Sequence, residues 1–352
     1  MESSLGKTRF ADGRMMKAIL DLFYATGDKK YYTYVRDYMD SYILEGGSIF
    51  GYDEDADRLN SFGMGKPLFD LLSISGDDKY EKAINLLYSG IAKHPLTNSG
   101  IFWYKKTQKN QVRLDSLYMV LPFFAEYDAL FNQNKNYKDL FRQFKKVYEI
   151  MRDSATGLYF HGYDESREVS WADCETGLSQ NFWSAACGYY AMALVDTVAK
   201  LDERFFYEYM TLQGYLKELL DALWVYKDSE TKLFYQITDE SGREGNYLET
   251  SGSCAIAYSF MKGARMGYLP SYYFNQGKEI FSSVVSQRFD GKNLSGICKT
   301  AGLGGRAADG GQSRDGTYAY YVSLPKVANS AKGLAPFISA YAEAKRTFAK
   351  RM

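Results

Sequence analysis

Apolar residues recur every three to four positions over most of the chain, the spacing of helices with a buried face. The pattern predicts helices over 13–26, 29–44, 62–75, 79–94, 113–132, 136–153, 180–199, 204–226, 248–267, 271–286 and 333–350. Phe182, Ala185, Ala186, Tyr189, Tyr190, Ala193 and Val195 show it most plainly.

Two kinds of punctuation separate these helices. The run Leu22-Phe-Tyr-Ala-Thr-Gly-Asp28 returns as Leu71-Leu-Ser-Ile-Ser-Gly-Asp77, each between two amphipathic stretches. Looser echoes lie at Leu130–Tyr137, Lys200–Glu203 and Met266–Pro270. Such short turns force neighbouring helices to run antiparallel. Alternating with them are Gly47–Tyr52, Gly100–Tyr104, Gly157–His161, Lys232–Gln236 and Gly296–Cys298, small or turn residues followed by a few apolar and aromatic ones, as short extended segments read. Short turns therefore gather at one end of the helices and long aromatic loops at the other, where function is expected.

Helical pairs alternating in this way close into an (α/α)6 toroid of twelve helices. The eleven predicted here leave its first outer helix missing or truncated. No Pro- or Ser-rich linker divides the chain, so residues 1–352 are expected to form a single toroidal catalytic domain.

Charge narrows the partners. The 43 basic and 43 acidic residues balance, which argues against nucleic acid or an anionic membrane as partner. The sequence has no apolar run of membrane-spanning length. Two histidines and four cysteines without a CxxC pair predict neither a metal site nor a disulfide framework, and no cofactor is expected. Met1 to Phe10 shows no apolar leader segment, so a cytoplasmic protein is expected, or a periplasmic one if a signal has been trimmed. The expected assembly is a monomer or weak dimer. The 32 Tyr, 22 Phe and 4 Trp suit both a large helical core and a glycan cleft, where sugar C–H faces pack on rings.

Three charged positions could carry chemistry. Asp173, in Trp171-Ala-Asp-Cys-Glu-Thr-Gly-Leu-Ser-Gln-Asn-Phe-Trp183, is either a carboxyl whose pKa rises beside tryptophans or an Asx-turn residue. Asp115, in Leu114-Asp-Ser-Leu-Tyr-Met119, is either a second acid or a helix N-cap. Arg243, in a glycine-flanked loop, could grip a carboxylate bidentately or lie solvated. Gly302-Leu-Gly-Gly305 lacks the lysine–hydroxyl ending and the strand–loop–helix setting of a phosphate loop.

Phe102-Trp-Tyr-Lys105, Leu114–Met119, Thr156–Ser166, Trp171-Ala-Asp173, Thr176–Ser179, Ala191–Asp196, Gly245–Glu249, Gly302–Gly304, Arg314–Tyr318 and Lys332–Phe337 follow one another as in a known family. Together they resemble the unsaturated rhamnogalacturonyl hydrolases and related unsaturated uronyl hydrolases, glycoside hydrolase family 105, related to family 88. The resemblance implies an (α/α)6 barrel that removes a 4,5-unsaturated uronate from the non-reducing end of an oligosaccharide. It implies Asp173 as the group that protonates C4 and assists water at C5, with Asp115 as the second essential carboxylate. His161, Trp171, Trp183, Arg243, Tyr247, Asn60 and Tyr104 would shape the sugar subsite. Asn60 stands where the family often has Asp, Tyr104 where it has His, Arg113 where it has Trp, and Ala185 and Tyr189 where it has Arg and Trp. With those departures, a two-carboxylate hydrolase of saturated glycans and a non-catalytic glycan-binding toroid stand as alternatives.

Overall fold

The structure, a computed structural model, describes residues 12–52, 58–306 and 313–346. The leader segment considered above and the end of the last predicted helix, 347–350, lie outside these.

Six helices form an inner ring: α1 (Asp12–Thr26), α3 (Lys66–Ser75), α5 (Leu117–Phe131), α7 (Ser184–Val198), α9 (Thr250–Arg265) and α12 (Ala331–Lys345), the last closing on α1. Between them come the outer α2 (Lys29–Asp40), α4 (Asp78–Ala92), α6 (Tyr137–Met151), α8 (Phe206–Tyr226) and α10 (Tyr272–Arg288). A short α11 (Tyr318–Ser323) precedes α12. This is the expected toroid, with five outer partners among the described residues.

Burial separates the two rings as helix physics requires. The inner α7 is covered along nearly its whole length, whereas the outer α6 buries only Leu140, Gln143, Phe144, Val147 and Met151. An all-round apolar helix must sit inside, and an amphipathic one covers it. The inner helices α7 and α9 meet closely: a Cβ on Gly252 would stand 2.8 Å from the Ala185 backbone nitrogen.

The first repeat is a capped turn. Gly27 and Gly76 take φ of 73° and 69°, ending their helices, and Asp28 and Asp77 then accept from Lys30 and Lys79 backbone N–H groups at 3.0 Å. Left-handed backbone favours glycine, and Asp is a strong N-cap. The second repeat is a hairpin after each outer helix, seen as the bridges Ile43–Ile49, Leu96–Phe102, Arg152–Tyr159 and Phe289–Leu294. After α8 the same turn is closed by Asp228 N–H donating to the Leu233 carbonyl at 2.9 Å.

Three short two-stranded ladders lie at the loop-rich end: β1 (Gln111–Arg113) with β2 (Gly162–Asp164), β3 (Phe234–Tyr235) with β4 (Leu248–Glu249), and β5 (Ile297–Cys298) with β6 (Lys326–Val327). They correct the predicted helix starts: 113–132 begins helically only at Leu117 and 248–267 at Thr250, because strand pairing claims the preceding residues. Similarly, 62–75 opens with a 3-10 segment, Leu59–Gly65, before α3. No described helix is long and apolar enough to cross a membrane.

Candidate active site

The N-terminal ends of five of the six inner helices converge on a cavity of about 420 Å³ at the loop-rich end. Arg14 comes from the first turn of α1, Asn60 from the segment before α3, Ser116 and Trp183 stand immediately before α5 and α7, and Lys332 opens α12. Helix N-termini carry partial positive charge, so the ring itself favours an anion here.

Pairing of β1 with β2 sets the central contact. Arg113 faces Gly162, and Leu114 N–H donates to the His161 carbonyl at 3.0 Å, which places Asp115 and His161 side by side. Asp115 Oδ1 lies 3.5 Å from His161 Nε2, with about a quarter of its side chain exposed to the cavity. The buried ring of His161 stands 4.8 Å from the Trp183 ring. Its Nδ1 lies 2.5 Å from the buried Tyr321 hydroxyl.

Burial lowers the His161 pKa, against the pull of Asp115, so the ring is neutral near pH 7. The ionised Asp115 carboxylate can only accept, which assigns the one proton of the neutral ring to Nε2, facing it, and leaves Nδ1 to accept from the Tyr321 hydroxyl. Burial alone pushes the Asp115 pKa up. The bond to His161, with the charges of Lys332 and Arg113, outweighs it and holds the carboxyl below its ordinary value.

Cations dominate the rest of the wall: Arg14, Arg58, Lys105, Arg113, Arg306, Arg314 and Lys332. Among the described residues Asp115 is the only carboxylate that lines the cavity. Arg113 is the most unusual of the cations. It is 2% exposed, its guanidinium carbon stands 4.5 Å from the Trp171 ring and 5.4 Å from that of Tyr104, and it donates to Leu303 O at 2.8 Å and Gln111 Oε1 at 3.0 Å. Its Nε has no hydrogen-bond partner, and burial pushes its pKa down to about 10. Asn60 Oδ1 and Gln108 Oε1 are likewise buried acceptors without a donor, as befits groups awaiting a polar ligand.

Of the residues expected at the site, Asp115, His161, Trp183, Asn60 and Tyr104 all line this cavity. Asp173 does not. Its exposed carboxylate accepts from Thr176 N–H at 2.7 Å, Thr176 Oγ1 at 2.9 Å and Glu175 N–H at 3.0 Å, an Asx-turn. These bonds and the absence of burial lower its pKa, the opposite of what a proton donor near neutrality needs. The same Asp-x-x-Thr turn closes the hairpins at Asp153–Thr156 and Asp228–Thr231. That recurrence was the signal in the sequence that Asp173 is a turn residue.

Arg243 is also displaced: it is exposed, paired with Glu240 at 2.9 Å and stacked 3.8 Å over the Tyr318 ring. Tyr247 lines a separate depression with Arg288 and Lys326. Trp171 is buried behind Arg113 and supports that guanidinium without lining the cavity. Sequence reasoning named neither Arg113 nor Tyr321 as site residues. Lys332 and Arg314, which stand next in line to Arg243 for gripping the carboxylate when the sequence is read alone, do line the cavity.

Asp173→Ala and Arg243→Ala are therefore expected to keep wild-type kcat/KM on the enzyme's substrate. A steady-state loss beyond about tenfold in either variant would return that residue to the site.

A ring of helices whose loop end encloses a sugar-sized cationic cavity, with Asp115 as its one carboxylate among the described residues, fits a carbohydrate-processing enzyme. Comparison with known proteins makes this specific. The family model of Glycosyl Hydrolase Family 88 matches residues 4–348, and the chain belongs to that family of glycoside hydrolases. A solved family 105 glycoside hydrolase from C. acetobutylicum ATCC 824 is 38% identical, with a TM-score of 0.90 over 95% of this chain and 92% of that one. The unsaturated rhamnogalacturonyl hydrolase YesR of Bacillus subtilis is 24% identical over 70% of this chain and 68% of its own length. The unsaturated glucuronyl hydrolase of Bacillus sp. GL1, at 11% identity and a TM-score of 0.66 over 95% and 85% of the two chains, shares the fold.

Proposed function

We propose that this enzyme removes a 4,5-unsaturated uronate from the non-reducing end of an oligosaccharide by hydrating the C4=C5 double bond, with Asp115 as the acid and base. The observation that carries this reading is that, among the described residues, one carboxylate lines a cavity otherwise charged by cations. Ordinary glycoside hydrolysis uses two carboxylates that flank the scissile bond. Hydration of a conjugated alkene needs one group that gives a proton and then takes one back.

In this scheme the uronate carboxylate meets Arg113 and Lys332, the two cations whose charge bears on Asp115. Because that carboxylate sits on C5, next to C4, its anchor must lie beside the proton donor. Asp115 delivers a proton to C4 as water adds to C5, and the resulting carboxylate takes a proton from that water. His161, neutral and held by Tyr321, positions the carboxyl through Nε2. The hemiketal at C5 opens to a ketone, leaving at C1 a hemiacetal that collapses and releases the second sugar as an alcohol.

The test is a substrate pair that differs only in the double bond. The unsaturated disaccharide should be cleaved with loss of its conjugated absorbance, and the saturated one left intact. Cleavage of the saturated sugar would point to a two-carboxylate hydrolase, and binding without turnover of either to a glycan-binding toroid.

A further inference from the structure

We propose that Gln236 is the positioning residue of the His161–Asp115 pair, one buried amide that holds both Trp183 and Tyr321 against the imidazole. The inference rests on the reading of Asp115 as the acid.

The repeat puts Gln236 in its place. Lys232-Leu-Phe-Tyr-Gln236 echoes Gly157-Leu-Tyr-Phe-His161, and each follows an outer helix and opens on a residue of positive φ, 62° at Lys232 and 75° at Gly157. Gln236 therefore occupies on one helical pair the position that His161 occupies on the preceding pair. Both side chains are buried. A glutamine removed from water needs its amide hydrogen-bonded, and this one is fully so.

Its backbone first joins two elements: Gln236 N–H donates to Tyr247 O at 2.7 Å, and its carbonyl accepts from Ser184 N–H, at the start of α7, at 3.1 Å. Its side chain then reaches three more groups. Oε1 accepts from Trp183 Nε1 at 3.0 Å, and Nε2 donates to Tyr321 O and to Cys298 Sγ, each at 3.3 Å. An indole can only donate and a carbonyl can only accept, so the amide has one possible orientation.

Trp183 and Tyr321 are the residues that contact the His161 ring, Trp183 with its own ring and Tyr321 through its hydroxyl. Among the described residues no other side chain bonds both of them. The amide thus sets the spacing of α7 and α11 around the imidazole, and the imidazole in turn aims Nε2 at Asp115. Burial pushes the Asp115 pKa up, and the bond to His161 is the strongest of the influences that bring it below its ordinary value. The other titratable groups facing Asp115 are Arg113, Lys332 and the phenols of Tyr104, Tyr189 and Tyr321.

The experiment compares wild type, Gln236→Leu, Trp183→Phe and the double variant on the unsaturated disaccharide, none of which alters those other groups. It follows kcat and KM against pH, with a melting curve for each protein. Gln236→Leu should lower the plateau kcat at least about tenfold, below the cost of a 1 Å misplacement, with KM changing less. The fall of kcat with rising pH, which reports Asp115 in the complex, should move to higher pH, because a loosened imidazole no longer holds the carboxylate. Trp183→Phe removes the indole N–H that Gln236 accepts and should move the fall the same way. The double variant should lose less than the product of the two single losses. A merely structural role would lower the melting temperature and the active fraction while KM and the pH of the fall stayed put. That result overturns the proposal, as do a wild-type profile or losses that simply multiply. If Gln236→Leu does not fold, an unmoved fall in Trp183→Phe overturns it equally. A wild-type kcat that does not fall with rising pH sinks the reading of Asp115 as the acid, and this inference with it.

Discussion

Asp115→Asn is expected to lower kcat at least about a hundredfold, the low end for removing a general acid. The variant keeps the shape of the side chain and its contact with His161, so the thermal melt should stay near wild type while turnover fails. Stopped absorbance assays on the unsaturated substrate, with a melting curve of the same sample, decide the matter. A rate within tenfold of wild type would remove Asp115 from the chemistry, because no other described carboxylate lines the cavity. The two buried carboxylates nearest in sequence to the site loops lie outside the cavity lining. Glu249 accepts from Gly252 N–H, Ser251 Oγ and Cys298 N–H, and Asp164 accepts through Oδ2 alone from Ser166 Oγ and Glu168 N–H.

The direction of the Asp115 shift adds a pH signature to that rate loss. In the free cavity, Lys332, Arg113 and the bond to His161 hold the carboxyl ionised, although burial works the other way. A bound uronate offsets those cations, so the Asp115 pKa rises in the complex and the acid is charged with its proton when it is needed. The protonated form is the active one, and activity is lost as pH rises through the pKa. The alkaline fall in kcat should therefore lie at higher pH than the fall in kcat/KM, since the first reports the complex and the second the free enzyme.

Arg113→Met carries the second large effect, with opposite signs on function and stability. Removing the floor cation should reduce kcat/KM by about 2–4 kcal/mol, in the range for losing one partner of a desolvated ion pair. The same change takes away a buried, uncompensated charge, so the free protein should melt no lower than wild type, and the lost bond to Leu303 O limits any gain. Arg113→Lys should restore little of the binding, because an ammonium cannot lie flat between Trp171 and Tyr104. Wild-type kcat/KM in both variants would move uronate recognition to Lys332 and Arg14.

Helical periodicity and the two repeats were legible in the sequence because each is local: a Gly-Asp turn caps its own helix, and a hairpin closes on itself. The site was legible only in part. Asp115, His161 and Trp183 lie in collinear motifs, but what joins them is a ladder three residues long between segments about fifty residues apart, which no local pattern announces. Tyr321 sits on α11, too short a helix to show a periodicity, and reaches His161 from a distant part of the chain. Asp173 lies in a motif dense in aromatics, yet the structure leaves it exposed in a turn outside the cavity lining. Its Thr176 partner marks it as one of three identical turns. Nothing local in Gln111-Val-Arg113 marks the arginine as a site residue, so its role emerges only once Tyr104 and Trp171 are seen beside it.

Turnover in heavy water tests the central claim most directly. Hydration through Asp115 requires a solvent-derived proton on C4, so NMR of the first product formed in D2O should show one deuteron there, on a single face. Product with only protium at C4, and solvent oxygen entering at C1 alone, would mean that the glycosidic bond is cleaved directly and that the alkene takes no part.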